Sequence, residues 1–254
     1  MWNVMKAQLY QLKKDRLVIA VFLLVPVLQL TNAFGEVLDV GGMTGSEFVA
    51  SIGAFPEFLS FLFVGTLVGE VAGRDFMDRT TNYELLMGHT RWEVYLGRAV
   101  LALVLGTLGG LLLSAVPVIA VTAVYGWGTK FALGQFLLRF LLMLFPLMRI
   151  VSVLILLTIL IKNSYVIILL GFFLCSVGQL TELLPPSLIL GICNLNLLGS
   201  YDSFQIYGFG SYTCTMYDAS LPVSVLAATP IVSLLGAAAA LIFGGMYFAG
   251  DDLR

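Results

Sequence analysis

Few residues of this sequence belong to the types that carry out acid–base, nucleophilic or metal chemistry. His89 is the single histidine, so a histidine-based metal site or catalytic dyad has no support, and we expect a structural or solvated side chain. No GxxxxGK[ST] tract occurs, which excludes ATP binding by a P-loop in this chain. The three cysteines lack metal-ligand spacing. The sequence does not decide whether Cys193 and Cys214 form a disulfide, because this bond requires an oxidising compartment. We therefore expect no catalytic, cofactor or metal site in this chain.

Arg149 is the most informative charged residue, because it interrupts a long apolar run. It lies thirteen residues before Lys162, and a helix of that length places it about 20 Å into a ~30 Å hydrocarbon core. A charge at that depth costs ~2.5–3.5 kcal/mol or more unless it is paired or faces water. Glu57 and Glu182 are the candidate partners. Two interpretations stay open, a substrate pathway and a buried ion pair that holds helices together.

The composition is that of a membrane protein. Lys+Arg number 13 and Asp+Glu 15 among 254 residues, so 11% of the residues are charged and 59% are hydrophobic. The mean hydropathy is +0.99. A soluble domain carries about 25% charged residues and a disordered chain combines low hydrophobicity with high charge, so both classes are excluded. Six apolar runs are long enough to cross a bilayer as helices: Leu17–Gly35, Phe48–Gly69, Ala99–Thr129, Phe131–Ile161, Asn163–Thr181 and Ala219–Gly250. We predict an all-α membrane protein with one transmembrane domain over residues 1–254.

The distribution of charge predicts the orientation of this domain. With the N-terminus inside, the inner segments hold most of the basic residues: Lys6, Lys13, Lys14, Arg16, Arg74, Arg79, Arg91, Arg98, Lys162 and Arg254. The outer segments, which include 35–56 and 183–222, hold Lys130 and mainly acidic residues: Glu36, Asp39, Glu47, Glu57, Glu182, Asp202 and Asp218. The positive-inside rule therefore predicts cytoplasmic N- and C-termini.

Residues 74–98 form the sizeable inner loop and carry helix-start and helix-end signals. Thr81-x-x-Glu84 and Thr90-x-x-Glu93 each match a capping box, and Gly88 lies between them where a glycine ends a helix. This spacing predicts a short helix over Asn82–Met87, a break at Gly88, and a second helix that runs into the third span. A short helix held at the membrane face either docks onto another protein or is only a connecting elbow, and spacing alone does not decide between them.

The first sixteen residues predict a helix that lies in the inner membrane interface. Trp2, Met5, Leu9 and Leu12 recur at helical spacing and share one face. A plain basic flank that only fixes topology is the alternative, but such a flank would not need the apolar stripe.

Small residues recur every four positions on the second span. Gly65, Gly69 and Gly73 share one face, where another helix can approach closely. Packing within the chain is favoured by the spacing, and a subunit interface is the alternative. The last span repeats the pattern at Gly236, Ala240 and Gly244. Glu70 and Arg74 are spaced as a structural i, i+4 ion pair at the end of the second span.

Four features of the sequence match one family when taken together. They are the opening MKAQLYQLKKDR, the loop RDFMDRTTNYELLMGHTRWEVYLGR, six spans with both ends inside, and the closing tract YFAGDDLR. In these features the whole chain resembles ABC-2-type transporter permeases, the membrane subunits of ATP-driven exporters. The loop is the most specific, being similar to the family segment in which a tract ending in G-x-[ST]-R leads through YLGR into the third helix. The size and loop layout are also similar to permeases of bacterial lantibiotic-immunity and bacitracin-type exporters.

The resemblance implies that the loop helix is a coupling helix seated in a groove of a separate nucleotide-binding ATPase, present in two copies. ATP and Mg²⁺ would bind only in that partner. The implied coupling residues are Asn82, Tyr83, Glu84, Leu85, Leu86, Met87, Gly88, His89 and Arg91. Residues 1–16 would be a connecting helix packed near them. A second permease chain, identical or related, would share the pathway, with span two and its glycines among the interface helices.

The function predicted from these features is export of an amphiphilic compound across a bacterial cell membrane, without a nucleic-acid partner. The acidic outer segments favour a cationic substrate, of which an antimicrobial peptide is one example. Two alternatives come from other classes: a membrane-embedded enzyme, and a sensory or scaffold membrane protein without transport. An enzyme would need intramembrane acid–base groups, and Arg149 with Glu57 and Glu182 are the only candidates.

Overall fold

The long helices of this protein follow the apolar runs and end at or beside a glycine or a charged residue. The computed structural model describes residues 2–51, 57–77, 86–129, 132–142, 144–171 and 223–250, and every regular element in this part of the chain is a helix. Several predictions lie outside the described residues: those on Asn82, Tyr83, Glu84, Leu85 and Glu182, on the outer segment 183–222, and on a Cys193–Cys214 disulfide. The side chain of Glu57 lies outside them as well.

Two consecutive helices open the chain. Helix α1 spans Trp2–Lys14 and α2 spans Arg16–Asp39. Asp15 separates them, because its Oδ1 accepts a hydrogen bond from the Leu17 amide at 2.7 Å and caps α2. The predicted N-terminal helix is confirmed. Its placement in a membrane interface stays a prediction, in keeping with the exposed ring of Trp2.

The segment predicted as the second span consists of several elements. Helix α3 spans Gly45–Ser51 and α4 spans Glu57–Val68. A π-helical turn follows over Gly69–Gly73, and a short helix, α5, covers Arg74–Met77. The predicted start at Phe48 stays a prediction, because residues 52–56 between α3 and α4 lie outside the described residues. Phe48 belongs to α3, which Thr44 and Glu47 cap at its N-terminus.

The remaining helices run from the loop to the end of the chain. Helix α6 spans Arg91–Tyr125, α7 Leu133–Leu142, α8 Leu144–Ile161, α9 residues 164–171, and α10 Val223–Gly250. Lys162 has a φ of 56° and turns the chain between α8 and α9. This confirms the predicted tight turn there. The predicted helix that runs from the loop into the third span is α6.

Four helices among the described residues are long and apolar enough to cross a membrane: Arg16–Asp39, Arg91–Tyr125, Phe136–Ile161 and Ser233–Gly250. Leu62–Gly73 is a shorter apolar helix. The chain is thus an all-helical membrane protein in its described part.

Two hydrophobic clusters hold the bundle together. The larger joins α2, α4, α6 and α8 through residues such as Val25, Leu67, Ala102 and Leu154. The smaller joins α3 to the ends of α2, α6 and α7. We call the end of the bundle near α1 the α1 end, and the end with α3 the α3 end. Helix α8 packs most extensively against α10 and then against α6.

Gly65, Gly69 and Gly73 of the second span pack against α9 of the same chain. A Cβ on Gly65 would lie 3.4 Å from the Gly171 Cα, and one on Gly69 would lie 3.0 Å from the Ser164 carbonyl oxygen. A Cβ on Gly73 would lie 3.1 Å from the Thr158 Cγ2. All three glycines are buried. Because this face is already occupied within the chain, a second permease chain would have to use another face.

Replacing Gly69 with valine is expected to destabilise the protein by ~1–3 kcal/mol, because the side chain overlaps the backbone of α9. Gly35→Val is the matched control, since a Cβ on Gly35 meets nothing within 4 Å. Thermal unfolding of the full chain in detergent, followed by tryptophan fluorescence, should show a lower midpoint for Gly69→Val alone. Equal midpoints for the two variants would contradict the packing assigned to this glycine.

Candidate functional site

The exposed turn before α6 is formed by Leu86, Met87 and Gly88, and we call it the docking turn. Leu86 and Met87 are 81% and 82% exposed. Gly88 has a φ of +91°, a conformation that side-chain-bearing residues rarely adopt. Large apolar side chains are therefore held out into the surroundings at a fixed bend, as a docking surface requires. Nothing in the described part of the chain covers them.

A capping box fixes the residues that follow the docking turn. The Glu93 amide donates to Thr90 Oγ1 at 3.3 Å, and the Thr90 amide donates to Glu93 Oε2 at 3.0 Å. The box predicted from the sequence is thus confirmed, and it starts α6. His89 Nδ1 lies 3.8 Å from Glu93 Oε2, on the same turn. The backbone from Gly88 onward is therefore well defined as it enters α6.

The start of α6 forms hydrogen bonds with the C-terminal part of α10 and packs closely against it. Arg91 Nη1 donates to the Ala249 carbonyl at 3.0 Å, and Tyr95 OH donates to the Leu241 carbonyl at 2.5 Å. A cation at a helix C-terminus is stabilised by the exposed carbonyls and the helix dipole. A Cβ on Gly245 would overlap the ring of Trp92, so the two helices are in close contact there. We call these contacts the α6–α10 clamp.

Aromatic rings extend the clamp into the bundle. The ring of Tyr95 stacks on Phe248 with centroids 6.0 Å apart, and Phe76 of α5 meets Phe248 edge-on at 5.9 Å. The buried Arg98 guanidinium lies 5.8 Å from the Phe76 ring centroid. A cavity of about 10 Å³ lies among these four residues, which is close to the space that one water needs. The residues just after the docking turn are thus packed directly onto α5 and α10.

An ionic cluster ties three chain segments together at the α1 end. Arg74 Nη1 forms ion pairs with Asp15 and, at 3.1 Å, with Glu70, and the Ser164 hydroxyl donates to Glu70 at 3.4 Å. The predicted Glu70–Arg74 pair is confirmed. Asp15 and Ser164 add the α1–α2 junction and the first turn of α9. Glu70 lies in the π-helical turn, a distortion often found where a side chain must be held in a special position.

Arg149 is buried in α8 and has no hydrogen-bond partner among the described residues. It is 1% exposed, and none of its three guanidinium nitrogens makes a hydrogen bond. The ion-pair interpretation is not tested, because its two predicted partners, the Glu57 side chain and Glu182, lie outside the described residues. Ser233 of α10 is also 1% exposed, and its hydroxyl makes no hydrogen bond. The two helices with the most extensive contact thus each carry a buried polar group without a partner.

Sequence patterns missed part of this arrangement. Arg91 and Tyr95 lie one turn apart on α6, but their acceptors are backbone carbonyls 158 and 146 residues further along the chain. Side-chain type alone does not reveal such a pairing. Asp15 carried a local signal, because it separates two helical patterns as a cap residue does. Ser233 gave none, since a lone serine in an apolar run is common.

The described residues contain no group of three or more His, Cys, Asp or Glu side chains that could hold a metal ion. A scan against protein-family models found no match for this chain, and a search of curated proteins found none either.

Proposed function

We propose that this protein is the membrane-spanning permease subunit of an ATP-driven exporter. The observation that supports the proposal is the docking turn, with two large apolar side chains almost fully exposed at a glycine bend and a clamp that joins the next helix to α10. A separate nucleotide-binding ATPase, in two copies, covers the docking turn, and ATP with Mg²⁺ binds only there. Movement of that ATPase is passed to α10 through the first turns of α6.

The topology of the proposal has six spans. The four long helices are joined by α4 with its π-helical turn and by a span that begins with α9. Both termini and the docking turn lie on the cytoplasmic side of a bacterial cell membrane, as the basic residues favour. Two permease chains, identical or related, form the complete transporter. Its cargo is an amphiphile, in line with a pathway lined by apolar helices and a few charges.

Changing Leu86 and Met87 together to aspartate is expected to abolish capture of the ATPase, because charged side chains cannot enter an apolar groove without a partner. The test is co-purification of the tagged chain with the P-loop ATPase encoded beside it. Val40→Asp is the matched control, because Val40 is 66% exposed and lies at the C-terminus of α2, toward the α3 end. Full recovery of the ATPase with the double variant would argue against docking at this turn. If no ATPase co-purifies with the wild-type chain, the result supports the sensory, scaffold or enzyme alternatives instead.

Arg91→Glu is expected to leave ATPase capture intact while lowering transport-coupled ATP hydrolysis roughly tenfold. The carboxylate cannot donate to the Ala249 carbonyl, and it places a negative charge at a helix C-terminus, where it is unfavourable. A charge-assisted hydrogen bond of this kind contributes ~1.5–3 kcal/mol, enough to release α10 from α6. Lys13→Gln serves as the control, since Lys13 is an exposed cation on α1. Unchanged stimulation of ATP hydrolysis by Arg91→Glu would show that the clamp does not transmit the signal.

A further inference from the structure

We propose that Arg149 and Ser233 form a buried binding site for the oxyanion headgroup of an amphiphile, between α8 and α10. The ligand class is a carboxylate or phosphate carried on an apolar chain. The site is distinct from the docking turn, which takes a protein. The inference rests on the proposed function only in treating this ligand as cargo.

The first argument is the state of the guanidinium. Arg149 is 1% exposed, so water does not solvate it, and in the part of the chain that the structure describes Nε, Nη1 and Nη2 all lack a hydrogen-bond partner. Buried arginines in a structural role are paired, because an unpaired buried charge is strongly destabilising. A protein keeps an unfavourable buried charge where that charge binds a ligand. The buried hydroxyl of Ser152 on α8 behaves differently, since it donates to the Met148 carbonyl at 2.7 Å.

The second argument is the position of the two groups on facing helices. Helix α10 contacts both α7 and α8, and its C-terminal part lies beside the C-terminal part of α8, so α8 and α10 run in the same direction. A Cβ on Gly244 would lie 3.6 Å from Leu156 Cδ1, which fixes the level of the contact. Arg149 precedes Leu156 by two turns, and Ala237 precedes Gly244 by two turns. Residues two turns apart share a face, so Arg149 lies level with Ala237.

Side-chain direction brings Arg149 toward Ser233. Helical side chains lean toward the N-terminus of their helix, which for α8 is the α3 end of the bundle. Ser233 lies about one turn nearer the α3 end than Ala237, on the same face of α10. The stripe formed by Ser233, Ala237 and Ala240 consists of small side chains that are all buried against neighbouring helices. Small side chains let the long Arg149 side chain lie close to α10, and a headgroup would enter only if α8 and α10 move apart.

The chemistry of the pair selects an oxyanion. A guanidinium presents a planar fork of N–H donors that matches the two oxygens of a carboxylate or phosphate, and a serine hydroxyl adds a further donor. An anion of this type would satisfy the polar groups of both helices at once. Its apolar chain would contact the alanines and the surrounding aliphatic side chains. A cation would add like charge to Arg149, so this site does not suit the cationic substrate that the acidic outer segments favour.

The experiment uses the purified full chain in a non-ionic, phosphate-free detergent, with dodecanoate and dodecyl phosphate as probes. Dodecanol and dodecyltrimethylammonium are the uncharged and cationic analogues. We expect a rise in thermal midpoint that saturates with either anion and is absent with both analogues. A response to dodecanoate alone assigns a carboxylate cargo, and one that includes dodecyl phosphate assigns the wider oxyanion class to which lipid phosphates belong. Both responses support the site.

Variants then locate the site. Arg149→Met is expected to weaken anion binding at least tenfold, about 1.4 kcal/mol, and Ser233→Ala several-fold. Ser152→Ala is the control and should bind as the wild type does. Without ligand, Arg149→Met should melt above the wild type, because it removes a buried unpaired charge. If Arg149→Met does not fold, Arg149→Lys tests the same point, since it keeps the charge but loses the bidentate fork.

The proposal is overturned if the wild-type chain shows no anion-specific rise, or if Arg149→Met retains it. A ligand-free midpoint of Arg149→Met far below the wild type would instead identify a structural ion pair, and would also overturn it. No ATPase is present in these measurements. Failure here would therefore leave docking at Leu86 and Met87 untouched, and failure of docking would leave the anion site untouched.

Discussion

Placing an ionised side chain among apolar helices costs free energy that only an opposite charge, hydrogen bonds or water can offset. This cost sorts the charged residues of the bundle into two kinds. At the α1 end, Asp15, Glu70 and Arg74 offset one another, and their ion pairs fix how α2, the π-helical turn and α9 meet. In the interior, Arg149 has no such arrangement. The first group is explained as structure, whereas nothing in the described part of the chain offsets the second.

The same constraint explains how helix ends are used. Carbonyls at a helix C-terminus need donors, and α10 obtains one from Arg91. Arg91 follows Gly88, the last residue of the docking turn, by three residues. The hydrogen-bond donor that the C-terminus of α10 needs therefore comes from the same segment that carries the exposed Leu86 and Met87 side chains. A force applied to that surface therefore reaches α10 without passing through a flexible linker. The stacked rings of Tyr95 and Phe248 make the connection stiffer.

The fold was largely predictable from the sequence, because apolar runs and capping residues act locally. The break at Gly88, the box of Thr90 with Glu93, and the turn at Lys162 all follow from neighbouring residues. The clamp and the pairing of Arg149 with the Ser233 face could not be predicted in this way. They depend on which residues of α8 lie beside which residues of α10. No local pattern in a single sequence gives this alignment of two helices.

The unpaired charge and the clamp act on α10 in opposite senses. Close packing of α8 against the small face of α10 keeps the Arg149 guanidinium dehydrated, so separation of the two helices toward the α3 end would lower its free energy. At the α1 end, Arg91 and Tyr95 hold α10 against α6 and resist that separation. A helix pair held closed at one end and strained at the other can pack in two ways, closed and parted, as a switching interface requires. An oxyanion that enters between the helices relieves the strain in one state, and a change at the docking turn loosens the hold in the other. Cargo and ATPase would therefore act on the same equilibrium from opposite ends of one helix.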